Sequence, residues 1–263
     1  MPRIAIVTGA SSGLGRQFVR QLDGGAGGAL DQIWLVARSA GRLGEVAAAC
    51  HTPCRTLPLD LTDPASLDAL REALDAQPAA EVAWLVNSAG FGRFGSLGRV
   101  SARDSADMVR LNCIAVVETC RIALGHMGPG SHIVNVSSIA GIAPQPELSV
   151  YSATKRFVLD LTRTLDYELR GTGIRCCAVC PKFMDTAFLD RAGDERAVRR
   201  MTTIGFEDPA RVARRAIADA RRGRVTCVPS WDMKAVHVAC KLLPSCLVLH
   251  VQDALFTAAT RGR

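Results

Sequence analysis

The sequence predicts an α/β protein in which a parallel sheet is wrapped by helices. Three observations carry this. Short β-branched and apolar runs alternate with helical patterns, beginning at residues 3–7. A glycine-rich turn lies directly between the first run and the first helical pattern. The 263 residues, 48% hydrophobic and 22% charged, suffice for one large core, so a single domain over residues 1–263 is the simplest expectation. Residues 1–7 are apolar over too short a stretch for a secretion signal or a membrane span, and a cytoplasmic location is expected.

The first strand, residues 3–7, enters Thr8-Gly9-Ala10-Ser11-Ser12-Gly13-Leu14-Gly15, and a helix follows over 16–22. Glycines allow a sharp turn and close approach to a pyrophosphate, whose charge the free amides and positive end of the helix would meet. The alternative is a tight turn with no ligand, and the spacing departs from GxGxxG. A second strand, 32–37, ends in Arg38-Ser39. An acid there would hold the ribose 2′-hydroxyl of NAD, whereas arginine pairs with the 2′-phosphate of NADP. Arg38 and Ser39 therefore favour NADP(H), with NAD(H) as the alternative; an arginine at a strand end is also an ordinary surface residue.

A third strand spans 55–60, a helix is capped near Thr62 or Asp63 with Pro64 in its first turn, and a fourth strand spans 81–86. The small residues of Asn87-Ser88-Ala89-Gly90 would let a cofactor lie against the backbone. In the loop 91–95, Phe91 and Phe94 either line a substrate pocket or pack the loop down. A long helical pattern over 102–124 contains Asn112, whose amide either bonds a neighbouring strand or joins a proton relay.

Residues 131–138 form a fifth strand, and 139–141 bend away from it. Serines at its carboxyl end stand where such sheets place ligands, or they serve ordinary turn chemistry. In the helix that follows, Tyr151 and Lys155 leave one face a turn apart. A fixed cation beside a phenol favours the phenolate, which makes Tyr151 a candidate general acid/base; the alternative is an ordinary aromatic and a solvated lysine. Gly171 and Gly173 stop that helix, and residues 174–180 form a sixth strand. Residues 182–206 are read as a mobile lid, 208–222 as a helix and 224–228 as a last strand. The tail over 231–256 is apolar but interrupted by Lys234, Lys241, Pro244 and Asp253. It is expected to pack on the body or on another subunit, in preference to a membrane surface.

Ten cysteines without a framework pattern suit reduced thiols. Cys50-His51-Thr52-Pro53-Cys54 has ligand-type residues but no second half, and Cys176-Cys177-Ala178-Val179-Cys180 lies in what reads as a buried strand, so no metal is expected. The net charge of +7 suits an anionic cofactor or substrate, but the basic residues are dispersed and no nucleic-acid motif is present.

With these residues in view, the chain from Arg3 to about Val228 resembles the short-chain dehydrogenase/reductase family. Residues 8–15 match its TGxxxGxG turn, Asp60 and Leu61 the pair beside the adenine, and Asn87-Ser88-Ala89-Gly90 its NNAG element with serine second. Asn112, Ser138, Tyr151 and Lys155 fall where the catalytic tetrad falls, and the interval of thirteen residues to Tyr151 selects Ser138 over Ser137. The resemblance implies a three-layer, doubly wound Rossmann-type sheet, here with an extra C-terminal helical tail over 231–263. It implies reversible hydride transfer between a nicotinamide cofactor and a ketone or secondary alcohol.

In that scheme Tyr151 handles the proton, Ser138 stabilises the alkoxide, Lys155 depresses the phenol pKa and holds the ribose, and Asn112 positions a relay water. The cofactor site implied comprises Gly9, Ser11, Ser12, Gly13, Leu14, Gly15, Arg38, Ser39, Asp60, Leu61, Asn87, Ala89, Gly90, Tyr151, Lys155, Pro181 and Thr186. One departure is Pro181-Lys182, where the family has proline-glycine. A bulky apolar, hydroxysteroid-like substrate is the first expectation and a 3-oxoacyl chain the second; Lys182 would instead suit an acidic substrate. The competing class is a non-catalytic NADP-binding redox sensor. A homo-oligomer, dimer or tetramer, is the expected assembly.

Overall fold

A computed structural model describes residues 1–184 and 205–261. Its frame is a parallel sheet of seven strands: β1 (Arg3–Thr8), β2 (Gln32–Ala37), β3 (Cys54–Pro58), β4 (Glu81–Asn87), β5 (His132–Val136), β6 (Arg175–Val179) and β7 (Thr226–Cys227). They lie in the order β3-β2-β1-β4-β5-β6-β7, so the chain builds outward from β1 in one direction and from β4 in the other. The carboxyl ends of β1 and β4 flank the crevice where that order reverses, which is where such sheets take ligands.

The central strands β1 and β4 are predominantly apolar because helices cover both faces. On one face, Phe18 and Leu22 of α1 (Gly13–Asp23), Leu43 and Val46 of α2 (Ala40–Ala48) and Val212 and Ala216 of α7 (Pro209–Arg221) pack with Trp84. On the other, Leu70 and Leu74 of α3 (Pro64–Asp75), Val116 and Cys120 of α5 (Ala115–Leu124) and Val158 of α6 (Ser149–Glu168) pack with Trp34. The indole N–H of Trp84 donates to the Gly27 carbonyl at 2.9 Å and that of Trp34 to Gln32 at 2.7 Å, so neither donor is left unpaired. His132 stacks on Trp84 with ring centroids 4.3 Å apart, and burial holds its pKa down at about 4.

Several elements differ from the sequence reading. The helix expected over 102–124 is interrupted: α4 (Ala102–Val109) passes into a π-helical turn, Arg110–Ile114, before α5. Asp63 is the cap of α3, its carboxylate accepting the Ala65 N–H at 3.1 Å. The last strand is shorter than 224–228, because Arg224 turns back to Asp219 through both its backbone N–H and its guanidinium. The tail folds into α8 (Trp231–Leu242) and α9 (Ser245–Arg261), separated at Pro244. Among the described residues no helix is long and apolar enough to cross a membrane. The expected lid falls largely on 185–204, outside the described residues.

Candidate active site

The cradle begins at the β1–α1 turn. Gly9 and Gly13 hold φ of +68° and +51°, which side-chain-bearing residues rarely adopt. A Cβ on Gly9 would stand 2.8 Å from the Ala89 nitrogen, and one on Gly15 only 2.2 Å from the Gly9 carbonyl oxygen. The turn is held by Thr8, whose hydroxyl accepts the N–H groups of Ser88 and Ala89, each at 3.1 Å. The sequence reading took Thr8 only as part of the glycine motif and missed this clamp between two strand ends. Ser12 stands at the N-cap of α1 with no side-chain cap bond, and Ser11, Ser12, Gly13 and Leu14 line the cavity beside it.

At one end of the cavity lie Arg38, Ser39, Asp60 and Leu61. The Arg38 guanidinium is 4.0 Å from the Asp60 carboxylate. Asp60 also accepts from the Thr62 N–H at 3.0 Å and hydroxyl at 2.8 Å. Ser39 caps α2 through the Arg42 N–H at 3.5 Å. That helix brings Arg42 into the cavity wall, a residue the sequence reading did not name.

At the other end, α6 presents Tyr151 and Lys155, both almost fully buried and both facing the cavity. Burial pushes the Tyr151 phenol up to about 12, partly offset by a hydrogen bond with Ser138. The depression expected from Lys155 is therefore not found. The Lys155 ammonium donates to the Val136 carbonyl at 2.9 Å and faces the phenol ring from 5.7 Å, and burial lowers its own pKa to about 8. Ser137 differs from its neighbour: its hydroxyl donates to the Lys155 carbonyl at 2.6 Å and ties β5 to α6, leaving Ser138 beside the phenol. Gly141 permits this packing, since a Cβ there would lie 2.6 Å from the same carbonyl oxygen.

Asn112, in the π-helical turn, is wholly buried behind the cavity wall. Its oxygen accepts the Phe91 N–H at 3.1 Å, and its amide donates to the Phe91 carbonyl at 2.9 Å and to Thr154 at 3.1 Å. It thus bonds a loop and a helix rather than a strand. It also closes over Gly90, where a Cβ would meet the Asn112 oxygen at 3.0 Å and the Lys155 nitrogen at 3.3 Å. Asn87 does not line the cavity. Its amide donates to Asn135 at 2.9 Å and its oxygen accepts from Thr119 at 2.8 Å, in a polar ladder between β4, β5 and α5.

Phe91 lines the cavity, while Phe94 packs with Ala140, Leu148 and Tyr151 and lies 6.5 Å from the Phe183 ring, so the loop both lines and packs. Pro181 accepts the Ile139 N–H at 2.9 Å and, like Lys182, lines the cavity. The Lys182 ammonium is 2.9 Å from Asp232 of α8, and its N–H donates to Glu207 at 3.0 Å. Thr186 lies outside the described residues. Of the two cysteine clusters, 176–180 is in the core on β6 and 50–54 joins α2 to β3; among the described residues no three metal-ligating side chains converge.

These walls enclose about 790 Å³, with paired arginines at one end, a glycine turn in the middle and a buried phenol with its serine at the other. A dinucleotide fits this donor set: backbone amides at a helix start for phosphate, and glycines where any Cβ would intrude.

Fold and crevice together define a nucleotide-type site on a doubly wound sheet. The short chain dehydrogenase family model matches residues 3–197, and this chain belongs to that family. It is 33% identical over 227 residues to sulfoacetaldehyde reductase 2 of Chromohalobacter salexigens, covering 80% of this chain and 86% of the relative. Among solved structures it resembles a short chain dehydrogenase/reductase from Burkholderia phymatum in complex with NAD, with a TM-score of 0.79, 27% identity and coverage of 90% and 92%. A short-chain dehydrogenase from Sphingobium yanoikuyae in complex with NADPH superposes with a TM-score of 0.77 at 28% identity, covering 92% of each chain.

Proposed function

We propose that this oxidoreductase interconverts a ketone and a secondary alcohol, uses NADP(H) in preference to NAD(H), and takes a bulky apolar substrate. The observation that carries the reading is the continuity of one cavity from Arg38 and Arg42 to Ser138, Tyr151 and Lys155. Neighbours bound to NAD and to NADPH support a nicotinamide cofactor, and the two arginines favour the form with a 2′-phosphate.

When bound, the cofactor supplies or accepts the hydride. The chain's own residues handle the oxygen and its proton. In reduction the Tyr151 phenol, protonated at neutral pH, donates to the oxygen as it becomes an alkoxide. Ser138 donates a hydrogen bond to the same oxygen and stabilises its charge. Lys155 supplies a cation beside the ring and a donor for the ribose. Asn112 holds Phe91 and α6 in register, and from there would position the relay water.

The aromatics of the loop around Tyr151 support an apolar substrate, hydroxysteroid-like or, second, a 3-oxoacyl chain. An acidic substrate is less well supported, because the cations near the mouth have carboxylate partners. Arg93 pairs with Asp104 at 3.3 Å, Arg110 with Asp107 at 2.8 Å and Lys182 with Asp232 at 2.9 Å. Assembly as a homo-oligomer is supported by exposed Val109, Ile114 and Phe157 on adjoining stretches of α4, the π-helical turn and α6. The non-catalytic sensor is disfavoured because it would need no buried phenol paired with a serine.

A spectrophotometric screen of NADPH and NADH oxidation, and of the reverse reactions, across steroids, bile acids, acyl thioesters, small ketones and sulfonated aldehydes tests the reading. Turnover of an apolar ketone with NADPH is expected. Turnover confined to acidic aldehydes, or none with any carbonyl despite tight NADPH binding, would refute it.

A further inference from the structure

The helical tail has two opposed faces. On α8, Met233, Val236 and Cys240 pack against Ile139, Leu159 and Val228 of the body, and on α9 Val248 is buried. The opposite side is apolar yet bare: Trp231 is 81% exposed, Val238 59% and Leu242 79%, and Leu243, Leu247 and Val251 are also exposed further along the tail. At about 100° per residue, Trp231, Val238 and Leu242 fall within roughly 40° of one another, and Lys234 and Lys241 flank that stripe along one edge. Singly exposed apolar side chains are ordinary, but a contiguous stripe with an exposed tryptophan at its head marks a contact surface.

We propose that this face is a docking surface for an anionic lipid bilayer, with the apolar stripe entering the interface and Lys234 and Lys241 reaching the headgroups. Charge complementarity selects this occupant. Asp232 at the start of α8 is already paired with Lys182, and Asp253 lies off the stripe on α9, so the charges edging the stripe are basic. An antiparallel isologous contact between two copies would lay Lys234 and Lys241 against a second basic edge, and a parallel one would leave them without an acidic partner, whereas anionic headgroups neutralise both. Tryptophan favours the headgroup level, and lysine stems can lie along the apolar stripe while their ammonium groups stay in water. The Lys182–Asp232 pair and the buried face fix the outward direction of the stripe, so the cavity mouth and the lipid surface keep a constant relation. This proposal does not depend on the substrate reading.

The test uses the full chain and two vesicle preparations, phosphatidylcholine alone and phosphatidylcholine with about 30% phosphatidylglycerol. Co-sedimentation and tryptophan emission report binding; Trp34 and Trp84 are buried, so a blue shift on binding reports Trp231. Binding to the anionic vesicles is expected to weaken by about tenfold or more with added salt, in K234E/K241E and in W231S/L242S, while NADPH affinity is unchanged. Absence of binding, equal binding to both vesicles, or a lipid-free oligomer that dissociates in W231S/L242S would each overturn it. The last result would assign the face to a second copy of the chain. None of these readouts involves turnover, so they stand or fall separately from the proposed reaction.

Discussion

The Lys155 ammonium lies 5.7 Å from the centroid of the Tyr151 ring, and both groups are buried. Burial raises the phenol to about 12 and lowers the amine to about 8, so each is driven toward its neutral form.

The first expectation is a pH profile. Tyr151 stays protonated across the working range, so the limiting ionisation in reduction is that of Lys155, which is charged below about 8 and neutral above it. kcat/KM for ketone reduction should be level below that pH and fall above it. Tyr151→Phe should lower kcat by about 100-fold or more, with cofactor affinity nearly unchanged. Retention of most turnover in that variant would remove Tyr151 from the acid/base role.

Cofactor choice is the second. Arg38→Asp places a carboxylate next to Asp60, with which Arg38 now pairs at 4.0 Å. The ratio of kcat/KM for NADPH to that for NADH should drop by about tenfold to 100-fold. Arg42→Ala should shift it in the same direction by less. An unaltered ratio in both variants would take the arginines out of the cofactor site.

A third concerns stability. His132 is neutral in the fold, with a pKa near 4 against 6.5 for the free side chain. Between those values the unfolded chain binds the extra proton, so stability rises with pH through this window and is lost as pH falls from about 6.5 to 4, by an amount of order 2 kcal/mol. His132→Phe should keep the stack on Trp84 and flatten this part of the profile. Chemical denaturation at several pH values would show an unchanged slope if the histidine is not the group responsible.

Much of the frame was legible because it rests on local chemistry. The alternation of strands and helices, the turn at residues 8–15 and the four-residue interval from Tyr151 to Lys155 all follow from periodicity and glycine placement. What escaped depends on tertiary placement. The helix carrying Arg42 is rich in alanine and glycine and gives a weak pattern, so its arginine went unnamed. Thr8 could be recognised as a clamp only once β1 and β4 were known to be neighbours. Asn87 reads as part of a cofactor motif, yet its strand turns it into the core. The phenol pKa expected from a neighbouring cation took the opposite direction because sequence spacing carries no measure of burial.

The π-helical turn at Arg110–Ile114 gives the long helix one surplus residue. Asn112 and Cys113 both turn inward before Ile114 turns out, where an unbroken helix would rotate by about 100° at each step. The surplus resets the phase, so the inward amide and the outward apolar side are set by separate halves of one rod. Removing a single residue here would regularise the hydrogen bonding and rotate α4 by about 100° relative to α5. Such a shortened chain could form a smoother helix and still lose the alignment of its site.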